Sequence, residues 1–131
     1  MNVQKSLIIS AFAAVLQVAS IQTATAKNLV CISAGYCTTA LSCNTKGAGE
    51  KLNVKIMKGN RAEFGWDGTD AKFTAKGQRK KNFTVYATSS DTSLQTFVLA
   101  DDMSASMGVT THLLDQLYNS FHALTCREAN E

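Results

Sequence analysis

Two histidines are the residues of this sequence best suited to acid–base chemistry. His112 and His122 lie ten positions apart, and the carboxylates of Asp101, Asp102 and Asp115 lie close to them along the chain. A histidine with a carboxylate partner can transfer protons in a hydrolase. The alternative is that both are half-exposed residues of strands or loops, since they match no established acid–base or metal spacing.

The sequence contains no other motif of catalysis or cofactor binding. It has no Gly-x-Ser-x-Gly elbow, no His-Glu-x-x-His pair and no glycine-rich phosphate loop. We therefore expect neither a cofactor nor a bound metal.

Four cysteines provide the covalent chemistry of the chain: Cys31, Cys37, Cys43 and Cys126. An even number in a small exported chain predicts two disulfides. Of the three possible pairings we favour Cys43 with Cys126 and Cys31 with Cys37. In every pairing Cys126 bonds to the N-terminal cluster, and closing such a long loop stabilises a domain by about 4 to 5 kcal/mol. The alternative is a zinc site of three cysteines and a histidine, but the Cys-x-x-Cys knuckle is missing.

Basic residues are concentrated in one run, from Lys76 to Lys81. We expect this run to be a solvated turn between strands, and the alternative is a contact with an anionic surface or polysaccharide. No aromatic residue interleaves with the run, so nucleic acid is not an expected partner.

Export is predicted by the N-terminal segment, residues 1–26. Lys5 provides a positive charge, residues 7–18 are largely apolar, and Ala24-Thr25-Ala26 offers the small residues that a signal peptidase recognises. The apolar stretch is too short to span a bilayer, which takes about 20 residues. The alternative, a buried N-terminal helix, lacks a capping residue.

The mature chain is predicted to be one domain, residues 27–131, that is periplasmic or secreted. No small residue precedes Cys31, so we expect no lipid anchor at that cysteine and no stable membrane anchor. The mature net charge is +2, from twelve basic and ten acidic residues. A net charge that small favours no class of partner.

Alternation with a period of two dominates the mature chain and predicts an all-β fold. Residues 51–57 place Leu52, Val54 and Ile56 on one face of a strand. Later strands are predicted at 82–88, with Phe83, Val85 and Ala87 on the apolar face, and at 93–100 before a tight turn at Asp101-Asp102. Such strands, with polar turns between them, predict a small antiparallel sandwich or barrel of about seven strands.

The sharpest local signal is a hairpin turn at Asp67-Gly68, which predicts a type I′ turn. Pairing outward from a two-residue turn sets Phe64 opposite Ala71. The same register sets Ala62 opposite Phe73 and Glu63 opposite Lys72. Trp66 shares the face of Phe64, so we expect it to be a core residue and not a ligand platform.

The segment from Thr111 to Cys126 is compatible with two structures. Apolar residues recur there at helical spacing, which favours an amphipathic helix. The β-branched residues 109–111 and the weak helix formers Asn119 and Ser120 oppose a helix. We prefer a strand over 107–113, a loop through 115–118 and a last strand over 120–126.

The function predicted from these features is a non-catalytic binding or inhibitor module of the cell envelope. The chain resembles, in size, strand pattern and terminal disulfide, small exported β-domains of bacterial envelopes, some of which inhibit lysozymes by inserting a loop into the enzyme's cleft. The resemblance implies a protein or glycan partner outside the cytoplasm. The alternative is a small secreted hydrolase that uses His112 or His122.

The export hypothesis predicts a defined N-terminus. Cleavage after Ala26 should give mature chains that begin at Lys27. Mass spectrometry of protein isolated from its native host measures this directly. Intact precursor as the main species would contradict the hypothesis.

Overall fold

The computed structural model describes residues 26–38 and 42–130, and for residues 42 and 43 the backbone alone. Residues 1–25, nearly all of the predicted signal segment, lie outside this range. The described residues form only strands and turns. The strands are β1 Lys27–Thr38, β2 Ser42–Asn44, β3 Lys51–Met57, β4 Arg61–Trp66, β5 Phe73–Arg79, β6 Phe83–Ser89, β7 Ser93–Ala100, β8 Ser104–Leu113 and β9 Gln116–Glu128.

Eight of these strands form a closed antiparallel barrel. Each strand from β3 to β8 pairs with the next, and β1 pairs with both β3 and β9, which completes the ring. The short β2 pairs with the last three residues of β1. The all-β prediction is confirmed, and of the two predicted architectures the chain adopts the barrel.

The ring closes where β1 meets β9, and a disulfide lies in this seam. Cys31 and Cys126 are directly opposite each other, with their Cα atoms 3.9 Å apart, and their sulfur atoms are bonded. Both residues are buried in the core. The bond spans 95 residues of sequence, which corresponds to about 4 to 5 kcal/mol in the chain-entropy model.

This bond corrects the predicted pairing. Because Cys31 is bonded to Cys126, the pairs Cys43–Cys126 and Cys31–Cys37 are wrong. Cys37 is disulfide-bonded as well, and the register aligns its Cα with that of Cys43 on β2. The zinc alternative fails, since three of its sulfur atoms are already in disulfides. Disulfides persist in oxidising compartments, so the bond indicates an extracytoplasmic location.

Side chains fill the barrel interior, as is usual for eight strands. Phe97 lies at the centre, with its ring 6.0 Å from that of Phe64 and 6.1 Å from that of Tyr86. The largest side chains that are fully buried come from five different strands: Leu52, Val54, Phe64, Tyr86, Phe97 and Met107. Trp66 packs partly buried against this core, as predicted.

The antiparallel order gives the barrel two ends with different turns. The turns at 58–60, 80–82 and 101–103 lie at one end, together with the start of β1 and the end of β9. The turns at 67–72, 90–92 and 114–115 lie at the other. We call the first the basic end, because it carries Lys58, Lys80 and Lys81 in its turns.

The turn at Asp67-Gly68 is not the predicted type I′ hairpin. Only Gly68 of the pair has a positive φ, +77°, which with the hydrogen bond from the Thr69 amide to the Trp66 carbonyl matches a type II turn. The loop continues to residue 72, so Phe64 faces Phe73 instead of Ala71. Glu63 and Lys72 still form an exposed ion pair, at 3.5 Å.

The apolar face predicted for 82–88 points outwards. Thr84 and Tyr86 are buried, whereas Phe83 is 39% exposed.

The turn after β7 has three residues, because Met103 adopts φ 68° behind Asp101 and Asp102. Compared with the predicted tight turn of Asp101 and Asp102 alone, the extra residue shifts the pairing of β7 with β8 by one position. Phe97 and Met107 therefore face each other inside the barrel.

The C-terminal segment is a strand pair, so the helical alternative is wrong. β8 and β9 pair from Ser104↔Thr125 to Leu113↔Gln116 around a two-residue turn. The preferred strand hypothesis is confirmed, but the loop predicted over 115–118 is wrong, since β9 begins at Gln116.

Close packing across β5 and β6 predicts that one glycine cannot be enlarged. A Cβ on Gly77 would lie 2.6 Å from Tyr86 Cε1 and 2.9 Å from Thr84 Cγ2. We expect Gly77→Ala to lower the free energy of unfolding by about 1 to 3 kcal/mol. The control is Gly108→Ala, where the nearest atom is 3.8 Å away and no loss is expected. Equal unfolding midpoints for the two variants in urea would contradict this packing.

Candidate functional site

The β8–β9 hairpin extends beyond its neighbours. β8 pairs with β7 as far as Thr111↔Ser93, and β9 pairs with β1 as far as Ser120↔Thr38. Past these points, residues 113–119 have no strand partner outside β8 and β9 among the described residues. We call residues 113–119 the finger.

The finger exposes large apolar side chains. Leu113, Leu114, Leu117 and Tyr118 are 56%, 88%, 63% and 52% exposed, and Phe121 below them is 44% exposed. Leu113 and Tyr118 continue the inner face of the barrel wall, and Leu117 lies on the opposite face. Contiguous exposed apolar surface of this kind marks interaction sites.

The finger ends in a turn that its sequence does not favour. Leu114 and Asp115 have φ values of 49° and 59°, the two positive values of a type I′ turn. Asparagine and glycine are preferred there, and a leucine at positive φ costs about 1 kcal/mol or more. A strained, almost fully exposed leucine contributes nothing to the stability of the barrel. Such strain is typical of residues kept for function.

The finger has little charge. Asp115 is its one charged residue, and the chain from Asn82 to Cys126 contains no lysine, arginine or glutamate. Its polar contacts are local, such as the hydrogen bond that the Tyr118 hydroxyl donates to Gln116 Oε1. The tip therefore offers apolar contacts with one negative charge among them.

His122 lies below the finger, towards the end of the barrel opposite the basic end. Its ring centre is 4.6 Å from that of Trp66 and 5.7 Å from that of Tyr36. Its Nδ1 is 3.0 Å from Ser33 Oγ. The position of Ser33 depends on a bulge in β1, where Gly35 has φ +139° and donates its amide to the same Oγ.

The Ser33–His122 contact has the atoms of a catalytic dyad but not its geometry. Ser33 is only 3% exposed, and its hydroxyl is already engaged with the backbone of Gly35. A nucleophile must reach the substrate, and a third group must orient its base. No carboxylate of the described residues hydrogen-bonds to His122. The contact is therefore part of the packing between β1 and β9.

The other residues proposed for acid–base chemistry are not brought together. His112 is exposed and faces outwards opposite Leu117, whereas His122 faces inwards opposite Met107. Asp101 is paired with Arg79, which lowers the pKa of its carboxyl group. Asp102 accepts hydrogen bonds from Ser104, which lower its pKa as well.

Two shallow hollows flank the loop at 67–72. One, of about 340 Å³, lies at the end opposite the basic end, between Glu50, Trp66 and Thr69. The other, of about 350 Å³, lies on the outer wall of β3 and β4, over Asn53 and Gly65. Neither brings together a set of groups that could carry out a reaction.

The predicted basic run lies only partly in a turn. Residues 76–79 belong to β5, and Lys80 and Lys81 begin the turn to β6. The predicted placement between strands is therefore wrong for the first four residues.

No protein family model matches this chain, and no curated protein or solved structure matches it either. Within residues 26–38 and 42–130, no group of three or more His, Cys, Asp and Glu side chains could hold a metal ion. That part of the chain also contains no helix long and apolar enough to cross a membrane.

Sequence reasoning did not find the finger. The preferred prediction ends a strand at Leu113 and places 115–118 in a loop, and the alternative places the whole segment in a helix, because Leu-Leu-Asp-Gln-Leu-Tyr contains no glycine or asparagine to mark a hairpin turn. The available signal was the cluster of large apolar residues on both sides of Asp115, which no strand face could bury completely.

The burial of His122 predicts a loss of stability in mild acid. Burial lowers the pKa of the folded imidazole below its ordinary 6.5, and Glu50 opposes this only in part. The stability that depends on neutral His122 is therefore present above pH 6.5 and is lost as the pH falls through the folded-state pKa. We expect His122→Asn to lose less stability than the wild type between about pH 7 and pH 5.

Urea titrations at a series of pH values measure this effect. The matched control is His112→Asn, which removes an exposed histidine and should retain the acid sensitivity of the wild type. Identical pH profiles for the wild type and His122→Asn would show that His122 does not titrate with folding.

Proposed function

We propose that this protein is an exported, non-catalytic binding module of the cell envelope, periplasmic or secreted, that inhibits a protein partner by inserting the finger into its cleft. The observation that carries the proposal is the tip: Leu114 is 88% exposed at a positive φ. Both features cost free energy in the isolated protein, and a partner that covers the side chain offsets the cost.

The shape of the finger favours a concave partner. Leu113 and Tyr118 are exposed on one face and Leu117 on the other. A flat surface covers only one face of a two-stranded projection, whereas a cleft covers both. Enzyme clefts have this shape, and a filled cleft cannot accept substrate, which supports inhibition.

The charge of the finger favours a protein over a lipid surface. Segments that insert into anionic membranes carry lysine or arginine beside their apolar residues. The only charged residue of the finger is Asp115, which is negative. A cleft with an apolar floor and one basic group at its edge complements it.

The scaffold supports a binding role. The interior is filled with side chains, and the disulfide ties β1 to β9, the strand that leaves the finger. A rigid base reduces the entropy lost when the finger binds. Such a scaffold presents one contact element and needs no reactive group.

Replacing Leu114 separates binding from folding, because the two effects have opposite signs. Leu114→Asn places a residue that tolerates positive φ in the turn, so we expect the unfolding midpoint to rise. The same change removes the apolar tip, so we expect affinity for the partner to fall about tenfold or more. The partner is identified by cross-linking from a photoreactive leucine at position 114, and its affinity is then measured with purified protein.

The matched control is Leu94→Ser, a change at an exposed leucine of the barrel wall, 45% exposed, which lies outside the finger and pairs with Thr110 at its base. We expect it to leave affinity unchanged, and a photoreactive leucine at 94 to give no cross-link to the same partner. Unchanged affinity of Leu114→Asn, or cross-links outside any cleft of the partner, would disprove the proposal.

A further inference from the structure

The charges of this protein are divided between two parts of the chain. From Lys27 to Lys81 there are eleven basic and four acidic residues, net +7. From Asn82 to Glu131 there are one basic and six acidic residues, net −5. The first part contains β1 to β5 and the turn that follows, so the positive charge is concentrated on one side of the barrel.

At the basic end, five positive side chains lie without an intramolecular counter-ion. Lys58, Arg61, Lys76, Lys80 and Lys81 are all exposed, and none forms an ion pair within the described residues. Arg61 and Lys76 are direct cross-strand partners. Like charges opposite each other destabilise a sheet, so this pair is unfavourable unless an anion approaches it.

The turn that presents Lys80 and Lys81 is held rigidly. Arg79 donates two hydrogen bonds to the carboxylate of Asp101, at 2.6 and 2.8 Å, and a third to the carbonyl of Lys81. The Lys80 amide donates to the Phe83 carbonyl at 2.8 Å. These hydrogen bonds of Arg79 fix the turn, and the side chains of Lys80 and Lys81 remain exposed to solvent.

An exposed aromatic residue adjoins these lysines. Phe83 follows the turn directly, is 39% exposed and faces outwards opposite Ala100. Lysines beside an exposed aromatic ring are typical of surfaces that bind anionic membranes, where the ring enters the headgroup region.

We propose that the basic end docks reversibly on an anionic phospholipid surface. The cations are spread over two turns and two strands and form no enclosed site, which suits a planar array of charges better than a single small anion. Phe83 adds the apolar contact that a soluble polyanion does not need. The finger lies at the opposite end of the barrel, so, if the proposed function holds, docking leaves the finger directed away from the membrane.

Co-sedimentation with vesicles tests the docking surface. The wild type should bind phosphatidylcholine vesicles that contain about one third phosphatidylglycerol, and should not bind pure phosphatidylcholine. Each lysine near such a surface strengthens binding about fivefold, so Lys80→Gln with Lys81→Gln should weaken it about 25-fold. High salt should abolish binding.

The matched control is Lys46→Gln with Lys51→Gln, which removes the same charge at the opposite end and should change binding by about twofold at most. Equal loss in the two double variants, or no binding by the wild type, overturns the proposal. Tight binding to dextran sulfate without binding to the anionic vesicles also overturns it. Leu114→Asn should bind vesicles like the wild type, so this test is independent of the proposed inhibitor function.

Discussion

Closure of the sheet between β1 and β9 is the constraint on which the rest of the molecule depends. This pairing joins residues about 95 positions apart, so the chain must overcome a large loop entropy before any interior side chain is enclosed. The Cys31–Cys126 bond lowers this cost, because it holds the two strands together in the unfolded chain as well and so reduces the conformational entropy lost on folding. Phe64, Phe97 and Tyr86 can pack on one another only inside the closed ring. The seam also carries His122 and the base of the finger.

The strands were predictable from the sequence, but their register was not. Residues 51–57 and 93–100 are strands with the predicted bounds, because alternation and polar turns are local signals. Pairing depends on the φ angles of single turn residues, and Met103 at φ 68° shifted β7 against β8 by one position. The outward face of β6 was misassigned for a related reason. Phe83 and Val85 are more apolar than Thr84, yet Tyr86 fills the space beside Gly77 and so decides the inward face.

The candidate surfaces were predictable only in part. The basic run was visible in the sequence, but its concentration at one end of the barrel depends on Lys58 and Arg61, which strand pairing brings beside it. The disulfide pairing required knowledge of which strands are neighbours, since all three pairings satisfy the spacing. To predict the finger, one would need to know how far β8 and β9 extend beyond β7 and β1, and no local sequence pattern encodes these relative lengths.

The closed seam also means that the ring does not depend on which of its strands comes first along the chain. The start of β1 and the end of β9 lie side by side, where Lys27 forms an ion pair with Glu128 and the Ala129 amide donates to the Asn28 carbonyl. A short peptide could link these ends, and the chain could be opened instead in the loop at 67–72 without breaking any strand. Such a circular permutant would keep the same ring, the same covalent seam and the same finger, with its new ends between β4 and β5 at the end of the barrel that carries the finger.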